Sequence, residues 1–186
     1  MKRLNKLVVI VTKVLEVMHW LTAAVMAVVA VAAVAAPQKV IDLIQSGMDN
    51  GSLTVQGFEI AVQDSAGNAI GGALLLVGIA GIITCGLMAM VFRNIYLIFR
   101  TTSGETWFSK GKTPFQPDNI RMVREIGIFC ISIPVIQLVF SIIGGVLFGV
   151  ETVVSMNGLM LGIIVLCLSQ FFAYGTQLQE DVDGLV

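Results

Sequence analysis

The chain has 186 residues, of which 56% are hydrophobic and only 12% charged, with a formal net charge of -1 and a mean hydropathy of +0.92. A soluble domain carries about 25% charged residues, so this composition excludes an ordinary water-facing surface, and a charge so near zero gives no reason to expect direct nucleic-acid binding. The apolar residues fall in long runs, the mark of an integral membrane protein.

The N-terminus is basic (Lys2, Arg3, Lys6). The pattern predicts a first membrane helix over residues 14–36, entered through an interfacial helical start in which Lys13 and Glu16 share a face. A signal peptide is the rival reading of the same residues: a basic start, an apolar core and Ala-x-Ala-like residues at 33–36 fit it, while Pro37 directly afterwards disfavours cleavage. Residues 37–71 form the first polar segment. Val40, Ile41 and Ile44 suggest one amphipathic turn of helix. Leu53, Val55, Phe58, Ile60 and Val62 then alternate with polar residues, with one slip at Gly57, and Asp64-Ser-Ala-Gly-Asn68 is turn-like. The spacing predicts a small β-hairpin flap on the outer membrane surface. A lone hairpin is only marginally stable, so the flap is expected to rest on helix ends or lipid headgroups.

A second helix is expected over 72–99. On one of its faces Ala73, Gly81, Cys85 and Ala89 recur with Val77 between them, a small-residue spacing that lets another helix approach closely. A polar loop over 100–117 follows. Asp118 or Asn119 is expected to cap the next helix, which runs over 118–149 and includes a basic amphipathic start with Ile120, Val123 and Ile126 on one face. Pro134 is expected to kink it, and Gln137, polar in mid-span, to hydrogen-bond another helix. Ser141, Gly145 and Gly149 repeat the small-residue spacing. The fourth helix is placed over 153–175, with Gly158 and Gly162 four apart; it is short for a span unless Val153 and Val154 extend it. Gly175 is expected to end it, leaving an acidic tail over 176–186. The whole chain reads as a single membrane domain.

The eleven basic residues divide unevenly: four up to Lys13, six within 93–124, one in the segment after the first helix and none between the third and fourth. By the positive-inside rule this orients four spans with both termini cytoplasmic, in the inner (plasma) membrane. The expected fold class is therefore an all-α membrane bundle of four transmembrane helices with a small extracytoplasmic β-hairpin flap between helices 1 and 2.

Cys85, Cys130 and Cys167 each sit inside a different apolar run and read as small buried hydrophobes. The spacing offers no Cys/His cluster, nucleophilic triad or phosphate loop, so no enzyme, cofactor or metal is expected. His19, the one histidine, adjoins Trp20; interfacial anchoring competes there with a proton-relay or ligand role.

Two segments carry motifs. Gly111-Lys-Thr-Pro-Phe-Gln-Pro-Asp-Asn-Ile-Arg-Met-Val-Arg-Glu-Ile-Gly127 resembles a G-x-T/S-P-F-x-x-x-N-x-x-R-L/I-R-x-I-G pattern, and Phe172-Ala-Tyr-Gly-Thr-Gln-Leu-Gln-Glu-Asp-Val-Asp-Gly-Leu-Val186 resembles an F-x-x-G-x-x-L-Q-x-x-x-D-x-L-V ending. Both are features of a bacterial family of four-span membrane proteins known as "domain of unknown function 2975". The chain departs from it at Met122-Val123, where a Leu or Ile and a basic residue are usual, and at Thr176 and Gln177, where a charge is common. The resemblance implies four helices, no enzymatic activity and, because members are often encoded beside a small helix-turn-helix regulator, a cytosolic regulatory partner. Thr113, Pro114, Phe115, Asn119, Arg121, Arg124, Leu178, Gln179 and Asp183 are the expected partner-binding residues. Gly81, Cys85, Ser141, Gly145, Gly149, Gly158 and Gly162 are the expected helix-packing residues. Lipid and a second copy of the chain are the other expected partners. The alternative function is a small oligomeric channel or transporter, suggested by the glycine-rich faces.

Overall fold

A computed structural model describes residues 2–109 and 113–183, with the side chains of 2–4, 180, 182 and 183 excepted. Its elements are α1 (Lys2–Ala35), α2 (Pro37–Ile44), β1 (Ser52–Val55), β2 (Phe58–Ala61), α3 (Gly71–Thr102), α4 (Pro117–Phe148), β3 (Thr152–Val154) and α5 (Asn157–Asp183). Helices α1, α3, α4 and α5 are long and apolar enough to cross a membrane. Helix α1 joins the expected helical start and the first span in one helix from Lys2, because no glycine or proline interrupts the stretch and the Lys13–Glu16 ion pair (3.0 Å) bridges successive turns. Helix α4 continues through Pro134.

The expected hairpin is part of a three-stranded antiparallel sheet in the order β1-β2-β3. Strands β1 and β2 pair Leu53 with Ile60 and Val55 with Phe58. The two residues between them, Gln56 and Gly57, both have positive φ (52° and 82°), the conformation of the type I′ turn whose twist matches a tight hairpin. The third strand comes from residues expected to extend the last helix. Thr152-Val153-Val154 is a β-branched run, comfortable in an extended chain, and it completes the edge that β2 would otherwise leave unpaired. Phe58 faces Val154 and Ile60 faces Thr152. Beyond the strand, Ala61 N donates to Glu151 O (3.1 Å) and Ser155 N to Gly57 O (3.0 Å).

Helix α5 therefore starts at Asn157, not 153, and gains its length at the other end, running through Gly175 to Asp183. Gly175 is no helix stop. A Cβ there would lie 2.5 Å from Phe115 Cε1, so its missing side chain makes room for an aromatic ring.

The chain divides into two compact units. One holds residues 19–86 and 133–157, the other residues up to Met18 with 87–132 and 158–186. In the first, the sheet does not rest on helix ends. It is packed into the unit's core, where Phe58, Ile60 and Val62 are fully buried with Ile41, Leu74 and Val77. Room is made by small residues: an added Cβ on Gly78 would meet Ala30 Cβ at 2.7 Å, and one on Gly144 would meet Ile60 Cδ1 at 3.5 Å. Each such large apolar side chain removed from water contributes about 1.5–3 kcal/mol, which offsets the hairpin's weak independent stability. The second unit has its own core of Val91, Ile126 and Cys130, with Ile95, Phe129 and Val165 against it.

Candidate functional site

The two motif-bearing segments meet within the second unit. Pro117 is the first residue of α4, a position where its missing N–H costs nothing, and Ile120 N donates to Gln116 O at 3.1 Å. Asn119 is consequently not the cap. It is fully buried and turned back into the loop, where Nδ2 donates to Pro114 O (2.9 Å) and to Thr102 Oγ1 (3.3 Å). Thr113 Oγ1 accepts from Phe115 N (3.2 Å) and donates to Gln179 Oε1 (3.1 Å) on α5. The Phe115 ring, seated over Gly175, lies 5.9 Å from that of Phe172. Loop and tail are thus joined by one hydrogen bond and one aromatic contact.

Around that junction Pro114, Arg121 and Arg124 are exposed, and Leu178 is 67% exposed. Arg121 Nε stands 3.5 Å from Glu125 Oε1, while Glu125 Oε2 accepts from the buried Asn94 Nδ2 at 3.0 Å. The Asn94–Glu125 bond ties α3 to α4 and holds the base of the arginine face. Sequence reading missed it, although an Asn inside an otherwise apolar run is the signal that marks it. The Asp183 side chain lies outside the described residues, as do Gly184, Leu185 and Val186.

In the other unit, Gln137 is 1% exposed, and its Nε2 donates to the Gln56 carbonyl at 3.0 Å. The expected bond to another helix is replaced by a bond to the β1–β2 turn. The reason lies with the side chain: Gln137 is buried and its amide needs a partner, and the turn at the exposed Gln56 brings a carbonyl within reach. Cys85, on α3 of the same unit, is buried. Gly57 cannot carry a side chain without strain, since its φ is positive and a Cβ would fall 2.9 Å from Ser155 Cβ.

The remaining packing residues divide. An added Cβ on Gly81 would meet Met26 Cγ at 2.8 Å, and one on Gly162 would meet Ile131 Cγ1 at 2.5 Å and Gly127 O at 2.7 Å. Gly145 and Gly149 have nothing within 4 Å of such an atom. The close approach on that stretch is made by Gly144, one residue away, and Gly149 instead terminates α4 in the left-handed region (φ 62°), its N–H donating to Gly145 O at 3.1 Å. The Ser141 and Thr152 hydroxyls share a hydrogen bond. Gly158 is half-buried near the start of α5, and His19 is half-buried in α1 beside the exposed Trp20.

The turn at residues 64–68 is closed by one carboxylate. Asp64 Oδ1 accepts from Ala66 N (2.9 Å) and Asn68 N (2.8 Å), and Oδ2 from Asn68 Nδ2 (3.0 Å). These bonds, led by that from the Asn68 side chain, hold the carboxyl below its ordinary value. With the folded value depressed, the contribution to turn stability is present above the ordinary carboxylate range and is lost as pH falls through the lowered pKa. Amide exchange at Ala66 and Asn68 should accelerate relative to the sheet over that acid window. Asp64→Asn should remove this pH dependence; an unchanged profile in the variant would assign it to another group.

The chain matches no protein-family model, and no curated protein and no solved structure is significantly similar to it.

Proposed function

We propose that this chain is a four-span inner-membrane protein, both termini cytoplasmic, that acts as a non-catalytic docking platform for a cytosolic regulatory protein. The observation that carries the reading is the Thr113–Gln179 bond together with the Phe115–Phe172 contact. Two segments 66 residues apart in sequence, the ones that bear the motifs, form a single surface whose exposed residues include Arg121, Arg124 and Leu178. Such a surface, an apolar side chain beside fixed charges, suits recognition of a folded partner with an acidic rim. A helix-turn-helix regulator is the partner class that the family resemblance of these two segments supplies, by analogy.

Membrane embedding is supported by the apolar side chains turned outward on the long helices, such as Val31 at 73% exposed on α1 and Phe171 on α5, which lipid accepts and water does not. Orientation is supported by the basic residues gathered at one end of α3 and the start of α4. The three-stranded sheet then belongs to the outer half of the protein.

The test is co-purification from detergent-solubilised membranes. A cytosolic protein should accompany the wild type. Its yield should fall at least fivefold for Arg121→Glu/Arg124→Glu and for Leu178→Asp, with little change for Lys39→Glu in the other unit. Equal yields across these variants, or no partner under any growth condition, would sink the reading.

A further inference from the structure

The unit that holds the loop–tail junction also contains a groove of about 700 Å³ at the start of α1 and the end of α3. One wall is α1, where Lys6, Val9 and Ile10 occupy adjacent turns; the other is α3, with Arg100, Thr102 and Ser103. The groove is chemically divided. Val9 and Ile10 make an apolar side, and Ile10 is 63% exposed in a stripe that continues through Val14 and Val17 along the outside of α1. The opposite side is polar: Lys6, Arg100, Thr102 and Ser103 line it, with Asn5 and with Glu105, whose carboxylate is taken up by Arg100.

Arg100 is held in place. Arg100 Nη1 donates to the Tyr96 hydroxyl (2.8 Å) and Nε to Glu105 Oε2 (3.2 Å), and neither contact uses Nη2. Lys6 is exposed and, among the described residues, makes no ion pair. Thr102 Oγ1 accepts from Asn119 Nδ2, so its own proton remains to donate. Two further observations mark the level as that of lipid headgroups. Lys13 Nζ lies 5.3 Å from the Tyr96 ring centroid one helical turn from Arg100, and Trp107, in the loop that follows α3, is 95% exposed. Tyr and Trp at such a level form the interfacial belt of membrane proteins.

We propose that this groove is a binding site for one anionic phospholipid, whose phosphate lies between Lys6 and Arg100 and accepts from the Thr102 hydroxyl, while an acyl chain follows Val9 and Ile10 onto the apolar stripe of α1. Basic pockets between helices at the cytoplasmic side are suited to such headgroups. A soluble phosphate would leave the apolar half of the groove unused, and a zwitterionic lipid would bring its own cation against Lys6. The site rests on the membrane reading above, and it would put lipid within one residue's reach of the loop–tail surface, through the Thr102–Asn119 bond.

The experiment is native mass spectrometry of the detergent-purified full chain with added phosphatidylglycerol, with phosphatidylcholine and with soluble glycerol phosphate. Phosphatidylglycerol should be retained in preference. Lys6→Gln and Arg100→Gln should each lower its retention about fivefold, and the pair about 25-fold, with Arg121→Gln and Lys39→Gln near wild type. Lys6→Gln is the decisive variant, because Arg100 also braces Tyr96 and Glu105. Equal retention of phosphatidylcholine, an unaffected Lys6→Gln protein, or full competition by glycerol phosphate would each overturn the proposal. Orientation is read separately, by labelling Lys6→Cys with a membrane-impermeant reagent from either side; a reversed result there would correct the topology without touching lipid retention.

Discussion

Gly162→Ala should destabilise the protein by about 3 kcal/mol, while Gly145→Ala should leave it unchanged or slightly more stable. Both glycines lie in helices at small-residue spacings, yet their surroundings differ. A Cβ on Gly162 falls 2.5 Å from Ile131 Cγ1, 2.7 Å from Gly127 O and 3.0 Å from Ile131 N. Two of these three atoms are backbone, so α4 and α5 must separate to admit a methyl group, and overpacking of this kind costs about 1–3 kcal/mol or more. Gly127 shows the reciprocal crowding, with Leu166 Cγ at 2.7 Å and Gly162 O at 3.0 Å. Gly145 has open space around it, and there alanine gains about 0.5–1 kcal/mol of helix propensity. Unfolding of purified protein in mixed detergent micelles measures both changes. A Gly162→Ala protein as stable as the wild type would mean that α4 and α5 do not meet at this point.

Gln137→Leu should release the β1–β2 turn. The two side chains are similar in volume, so the change isolates one hydrogen bond. Without Nε2 the Gln56 carbonyl loses its donor while Gln56 itself stays exposed, so the loss is the net worth of one hydrogen bond, about 0.5–1.5 kcal/mol. The expected result is faster hydrogen exchange at Val55, Phe58 and Ile60, by about fivefold for a loss of about 1 kcal/mol. Val91 and Ile126, in the other unit, should keep their protection. Equal acceleration in both places would indicate general loosening rather than loss of a pin; no acceleration would show that the Gln137–Gln56 bond contributes nothing.

Several features were legible from the chain alone because the physics behind them is local. Four apolar runs of helical length follow from composition and run length, and they appear as α1, α3, α4 and α5. The face of Ala73, Val77, Gly81, Cys85 and Ala89 follows from helical periodicity; all five are buried. The alternation from Leu53 to Val62 follows from the period of a strand, and β1 and β2 occupy it.

What only the tertiary structure decided are cases where one residue type serves two purposes. Thr152-Val153-Val154 is apolar and β-branched, compatible with the start of a helix or with a strand; the open edge of β2 selects the strand. Gly175 reads as a helix stop, but a glycine also admits a neighbour, and the position of the Phe115 ring determines which. Gly144 and Gly145 are indistinguishable in sequence, and the 100° between successive helical residues turns one toward Ile60 and the other away. Gln137 announces a buried hydrogen bond without naming its acceptor. The acceptor is a turn carbonyl 81 residues away, brought there by burial of Phe58 and Ile60. Run length and periodicity settle what each segment becomes. Which segments meet depends on free edges, missing side chains and unpaired carbonyls, and these exist only once the chain has folded.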